Sequence, residues 1–131
     1  MNLGYVLIYV ADVRAAVDFY ERAFGLTTRF VADGDQYAEM ETGATALGFV
    51  ARALAERNLA PGTIAFSSRA QPAPAVEIAL VTDDVAAAVA RALAAGAELV
   101  AAPKAKPWGQ TVAYVRDLDG LLVELCTPME G

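Results

Sequence analysis

Histidine is missing from all 131 residues, and cysteine and tryptophan occur once each. Without imidazole the chain has neither the commonest general base nor the nitrogen donor that most transition-metal sites use. No nucleophile–base pair stands at a useful spacing either. The lone Cys126 cannot close an internal disulfide, which suits a reducing compartment; a cytoplasmic protein is expected. No apolar run approaches the roughly 20 residues of a membrane helix, and no basic stretch leads into a cleavage site, so neither membrane nor export is expected. Basic residues number 10 against 16 acidic ones, and the net charge of −6 lacks the footprint that duplex nucleic acid requires. With 56% hydrophobic and 20% charged residues, disorder is excluded, and the length predicts a single domain, 1–131, with a core of its own.

What is present is concentrated toward the C-terminal end. Pro107-Trp108-Gly109-Gln110 leads into a hairpin that runs from Thr111 to Cys126. Thr111–Val115 and Leu121–Cys126 are β-branched and apolar enough for strands, and Arg116-Asp117-Leu118-Asp119-Gly120 supplies turn chemistry between them. Alternation puts Leu122, Glu124 and Cys126 on one face and Leu121, Val123 and Leu125 on the other. Both faces read as buried, so Glu124 must be paired, hydrogen-bonded or set in a cavity.

From the N-terminus, Tyr5–Val10 reads as a strand, and Asp12 as the cap of a helix whose Val13, Val17, Tyr20 and Phe24 recur until Gly25. Segments 27–31 and 36–41 flank Asp33-Gly34-Asp35 as a hairpin, and 45–50 returns as a further strand. Residues 53–74 are rich in Ala, Pro, Ser and Arg, with a short helix near 53–58, and read as a connection. Phe66 within it is a packing anchor or a ligand-facing aromatic. The pattern then recurs: a strand over 76–81, a helix capped by Asp83 or Asp84 with Val85, Val89 and Leu93 inward, a stop at Gly96, a short strand over 97–102, and the final hairpin. Gly43 aligns with Gly120. The chain is thus two tandem βαβββ units, about 1–52 and about 75–128, an α+β fold.

The motifs Val10-Ala11-Asp12-Val13, Phe19-Tyr20, Phe24-Gly25-Leu26, Ala95-Gly96-Ala97, Pro107-Trp108-Gly109 and Asp117-Leu118-Asp119-Gly120, duplicated in order and spacing, resemble the glyoxalase/bleomycin-resistance/dioxygenase (vicinal oxygen chelate) superfamily. The resemblance covers nearly the whole chain, with Leu118 where the family often has proline. It implies a cupped, barrel-like mixed sheet with helices outside. Metal-dependent members place histidine in the first strand of each unit and glutamate in the last. Carried onto this chain, those positions are Tyr5, Leu47, Val76 and Glu124, and only the last is a usual ligand. No metal and no other cofactor is therefore expected. The bleomycin-resistance branch binds its drug without protein-bound metal, as a homodimer with clefts between subunits. There a tryptophan of a Pro-Trp-Gly segment and an aromatic residue of the first hairpin flank the drug, which points to Trp108 and, by position alone, Tyr37.

The expected activity is metal-independent binding of a small organic molecule, planar or cationic, with Trp108, Tyr37, Glu124, Tyr5 and Gln110 as the ligand-binding residues and no catalytic group. All but Tyr37 have a plainer alternative: Trp108 as packing beneath the last hairpin, Gln110 as a cap on strand backbone, Tyr5 as an ordinary strand aromatic, and Glu124 as a relic bonded to Tyr5 or water. Cys126 reads as a small core residue. The competing function is a lyase, isomerase or dioxygenase-like enzyme that uses Glu124 as a base or an atypical metal site.

Overall fold

A computed structural model of the protein describes residues 1–129; Glu130 and Gly131, the end of the expected domain, lie outside them. The residues fall into two compact units, the first made of Met1–Glu21 and Gly25–Phe66, the second of Arg22–Phe24 and the chain from Ser67 onward. The boundary at Phe66 lies inside the stretch whose composition reads as a connection.

In the first unit, strand β1 (Tyr5–Val10) leads to helix α1 (Val13–Phe24), then β2 (Thr27–Val31), β3 (Tyr37–Glu41), β4 (Ala46–Ala51) and a short helix α2 (Arg52–Asn58). The sheet order is β1-β4-β3-β2, with β1 parallel to β4 and the other pairs antiparallel. Asp12 caps α1 by accepting a hydrogen bond from the Ala15 N–H at 3.0 Å, and Gly25 ends it in the left-handed conformation that glycine adopts without strain. The helix buries Val13, Val17, Phe19 and Tyr20, and the Tyr20 ring lies 4.8 Å from that of Phe49 in β4. One side of the sheet, carrying Phe49, Leu47 and Met40, is therefore core.

The second unit repeats the plan with β5 (Glu77–Val81), α3 (Val85–Ala94), β6 (Glu98–Ala105), β7 (Thr111–Arg116) and β8 (Leu122–Cys126), in the order β5-β8-β7-β6. Of the two candidate caps, Asp84 accepts the bond, from the Ala87 N–H at 3.0 Å. Val85 and Val89 pack on Ala113, Val115, Val123 and Leu125. Leu93 does not join them: it is 38% exposed, and Ala92 is buried instead. At ~100° per residue, position 93 stands roughly 80° from Val85, whereas position 92 returns almost onto it. Strand β6 also runs longer than expected, past Pro103, which an edge strand tolerates because one side of its backbone has no partner.

The fold is α+β with tandem βαβββ units, as the repeat predicts. Each sheet is open, with four strands and two edges, so the barrel-like closure implied by the resemblance is not formed within either one. Both final hairpins are tied by a turn side chain. The Leu47 N–H donates to the Thr42 hydroxyl in the first; the N–H groups of Asp119 and Leu121 donate to the buried Asp117 carboxylate in the second. At the second turn Gly120 has φ 87°, and a Cβ there would meet the Ser68 carbonyl oxygen at 2.7 Å, so no larger residue fits.

Candidate functional site

Strand alternation leaves each sheet one face turned away from its helix, and the polar chemistry collects there. In the first unit Tyr5, Leu7, Gly48, Tyr37 and Glu39 share that face, because Leu7 pairs with Gly48 and Gly48 with Glu39. The register of β2 against β3 slips between Thr28 and Phe30, a β-bulge that brings two successive side chains, Arg29 and Phe30, to the same face. Arg29 forks onto Glu41 at 2.7 and 2.9 Å and reaches Glu39 at 3.3 Å. The Phe30 ring lies 6.0 Å from that of Tyr37, and the Tyr37 hydroxyl donates to Glu39 at 2.7 Å. Glu39 is buried, while Tyr5 and Phe30 stay open to solvent. Burial, then the bond to Glu39 and its charge, push the Tyr37 phenol up to about 12. The Arg29 guanidinium holds the Glu41 carboxyl below its ordinary range.

In the second unit Glu124 pairs with Ala79 of β5 and Tyr114 of β7, so Glu77, Tyr114, Glu124 and Cys126 share a face. The opposite face, with Val123 and Leu125, is core, as alternation predicts; Glu124 itself is half-buried. Desolvation against the sheet, then the hydrogen bond and charge of Glu124, raise the Glu77 carboxyl above its ordinary range. Tyr114 and Cys126 are raised by burial first and Glu124 second. The Cys126 thiol is buried and held in its neutral form, a core residue rather than a nucleophile.

Trp108 stands in the β6–β7 connection and is 63% exposed, so it does not pack beneath the hairpin. Its indole N–H donates to the Gln110 Oε1 at 2.7 Å, and the Gln110 Nε2 donates to the Thr127 carbonyl at 2.8 Å. Gln110 therefore caps strand backbone and pins the indole at once. The structure thus brings Trp108 to Gln110, and Tyr37 together with Tyr5 on one sheet face. Glu124 meets Glu77 and Tyr114; Tyr5 lies in the first unit. Arg29, Phe30, Glu39 and Tyr114 were not selected from sequence, although Tyr37 and Glu39 carry the i, i+2 spacing of one strand face.

The donors offered to a metal do not fit one. Leu47 lies on the core side with Phe49, and Val76 precedes β5 and is out of phase with Glu124. The positions sharing the open faces are Gly48 and Glu77, since a shift of one residue changes the face. Among the described residues no group of three or more His, Cys, Asp or Glu could hold a metal ion. A Cβ at Gly48 would meet the Leu7 Cδ2 at 2.7 Å and the Tyr37 hydroxyl at 3.2 Å, so a larger residue there would require these side-chain ends to shift.

Two clefts lie elsewhere. One of about 310 Å³, between β5, α3 and the last turn of α1, is lined by Phe24, Leu80, Leu125, Asp84 and Arg91 among others. The other, of about 300 Å³, lies beside α2 and is lined by Leu59, Ile64 and Phe66, whose ring carries the Arg52 guanidinium at 5.1 Å. No described helix is long and apolar enough to cross a membrane.

Paired βαβββ units that keep their hydrophobic chemistry under the helices and their polar chemistry on the opposite sheet faces define a two-module class of small α+β proteins. The sequence profile of the Glyoxalase/Bleomycin resistance protein/Dioxygenase superfamily matches residues 2–125, and the chain belongs to that superfamily. Among solved structures it is similar to a glyoxalase-related enzyme from Fulvimarina pelagi, at 21% identity and a TM-score of 0.80 over 98% of this chain and 88% of that one. It is similar to TioX from Micromonospora sp. ML1 at 25% identity and a TM-score of 0.70, over 97% of this chain and 98% of that one. A glyoxalase/bleomycin resistance protein/dioxygenase family enzyme from Burkholderia phytofirmans PsJN gives 25% identity and 0.71 over the same shares, 97% and 98%. None of the curated proteins compared with the sequence matches it.

Proposed function

We propose that this protein binds and sequesters a small, flat organic molecule, cationic or electron-poor, without a metal, in the manner of the bleomycin-resistance branch of its superfamily. The observation that carries this reading is Trp108, an indole 63% exposed and held at its N–H by Gln110. An aromatic side chain fixed before binding loses little freedom when a ligand stacks on it, and its face attracts cations. The absence of histidine removes the imidazole donors on which the metal-dependent chemistry of the superfamily rests. Sequestration needs affinity alone, so no catalytic constellation is required. We place the protein in the cytoplasm as a homodimer. The edge strand β1 exposes Tyr5 and Leu7 on one face and Val6 on the other, an edge that a second copy would cover. Equilibrium dialysis against planar cationic antibiotics, with and without a chelator, tests the reading. One ligand bound per chain, with the same affinity in chelator, is expected; binding that chelator abolishes would overturn it.

A second reading rests on the Glu77–Glu124 pair. A carboxyl raised above its ordinary range beside a second carboxyl and a tyrosine is suited to acid–base work on a lyase or isomerase substrate. Turnover that disappears in Glu124→Gln with the fold intact would favour the enzyme.

A further inference from the structure

The first unit's open face contains a contact that the sequestration reading leaves without a role. Glu39 is buried, yet it sits on a sheet face among residues open to solvent, and its two oxygens are divided between two partners. One accepts from the Tyr37 hydroxyl at 2.7 Å, the other from Arg29 at 3.3 Å. Both partners also adjoin the aromatic surface. Tyr37 lies tilted against Phe30 at 6.0 Å and 45°, and Arg29 is the residue before Phe30 in the bulge. One carboxylate therefore ties down a ring from β3 and reaches the bulge in β2 that presents its companion, where Glu41 holds Arg29 more closely, at 2.7 and 2.9 Å. Gly48 underneath leaves the Tyr37 hydroxyl its place, 3.2 Å from where a Cβ would stand.

From this geometry we infer that Glu39 is a positioning residue of the ligand-binding face, holding Tyr37 and Phe30 as an aromatic platform that prefers flat cationic rings to uncharged ones. The preference has a physical source. A phenol that donates to a carboxylate gains electron density on its oxygen and ring, and the attraction of the ring face for a cation grows with it. Glu39 acts through Tyr37 rather than on the ligand directly, because it lies buried and both its oxygens are engaged. The inference rests on the sequestration reading above, from which it takes the ligand.

The test uses N-methylacridinium and acridine, uncharged at about pH 8, as a matched pair. Their dissociation constants are measured on the intact protein and on Glu39→Gln and Tyr37→Phe. The wild type is expected to prefer the cation. Glu39→Gln keeps an acceptor but loses the charge, and Tyr37→Phe keeps the ring and the carboxylate but loses the bridge. Each is expected to lower the preference for the cation over acridine about fivefold. A preference unchanged in both variants overturns the inference. So does a preference lost in Glu39→Gln but kept in Tyr37→Phe, since Glu39 would then act by its own charge. If Glu39→Gln does not fold, Tyr37→Phe decides alone. Wild-type protein that binds neither dye would overturn the sequestration reading and this inference with it, whereas binding with an unmoved preference overturns the inference only.

Discussion

At the centre of the first sheet Gly48 stands between Leu7 and Glu39; at the corresponding place in the second, Glu124 stands between Ala79 and Tyr114. The carboxylate has moved one strand over, to the place of Gly48, and a tyrosine stands at the place of Glu39. In the first unit Glu39 and Tyr37 share strand β3, and Arg29 arrives by way of a bulge to meet the negative charge. In the second, Glu124 occupies β8, Tyr114 lies across on β7, and the neighbour from β5 is another carboxyl, Glu77. Strand order and turn chemistry are duplicated while the electrostatics of the two faces run in opposite directions. The backbone plan is set by hydrophobic burial and turns, which both halves need; the open faces are released from that constraint and are where function can diverge.

The largest way to break the symmetry is at the two matched turn glycines. Gly120→Ala places a Cβ against the Ser68 carbonyl at φ 87° and is expected to cost ~3 kcal/mol in denaturant unfolding. Gly43→Ala, at φ 95° in open space, is expected to cost ~1 kcal/mol. Equal costs would mean that the 67–71 segment yields readily. Next in size is Trp108→Ala, expected to weaken a planar ligand about tenfold by dialysis, given ~0.5–1.5 kcal/mol for an aromatic contact beyond its buried area. Unchanged affinity removes the second unit's indole from the site.

The pH dependences of the two faces are expected to have opposite signs. Glu41 is held low by Arg29, so its contribution to stability is present above its unfolded pKa and lost as pH falls through the folded one. Glu41→Gln is therefore expected to lower the melting temperature at neutral pH, with the difference closing in acid. Glu77 is raised, so its ionisation costs stability once pH exceeds its unfolded value, and in full above the folded one. Glu77→Gln is expected to raise the melting temperature at neutral pH, again converging with wild type in acid. Melting curves in which the two variants move the same way would contradict the contrast. The smallest effect is expected at Leu93, where replacement by serine is predicted to change stability by less than ~0.5 kcal/mol because the side chain lies off the packed stripe.

The repeat, the helix caps at Asp12 and Asp84, and the Asp117–Gly120 turn were legible because each is a local device whose residues announce it. Glu124 was legible as a carboxylate on a strand with an apolar opposite face. Less visible was phase. Aligning the units by motif tolerates an offset of one residue, but a sheet face does not, and that offset is why Leu47 and Val76 stood where Gly48 and Glu77 share the open faces. The Arg29 bulge was not legible at all, since a slip in register is decided by two strands together. With it went the Arg29–Glu39–Tyr37 network, although Tyr37 itself was selected.

The most direct test of metal-free sequestration is a fluorescence titration of Trp108, the only tryptophan in the chain, with metal-free and copper-loaded bleomycin after exhaustive chelation of the protein. The account predicts saturable quenching by a planar cationic ligand at one equivalent per chain, unchanged by further chelator. Quenching that requires a metal restored to the protein would contradict it.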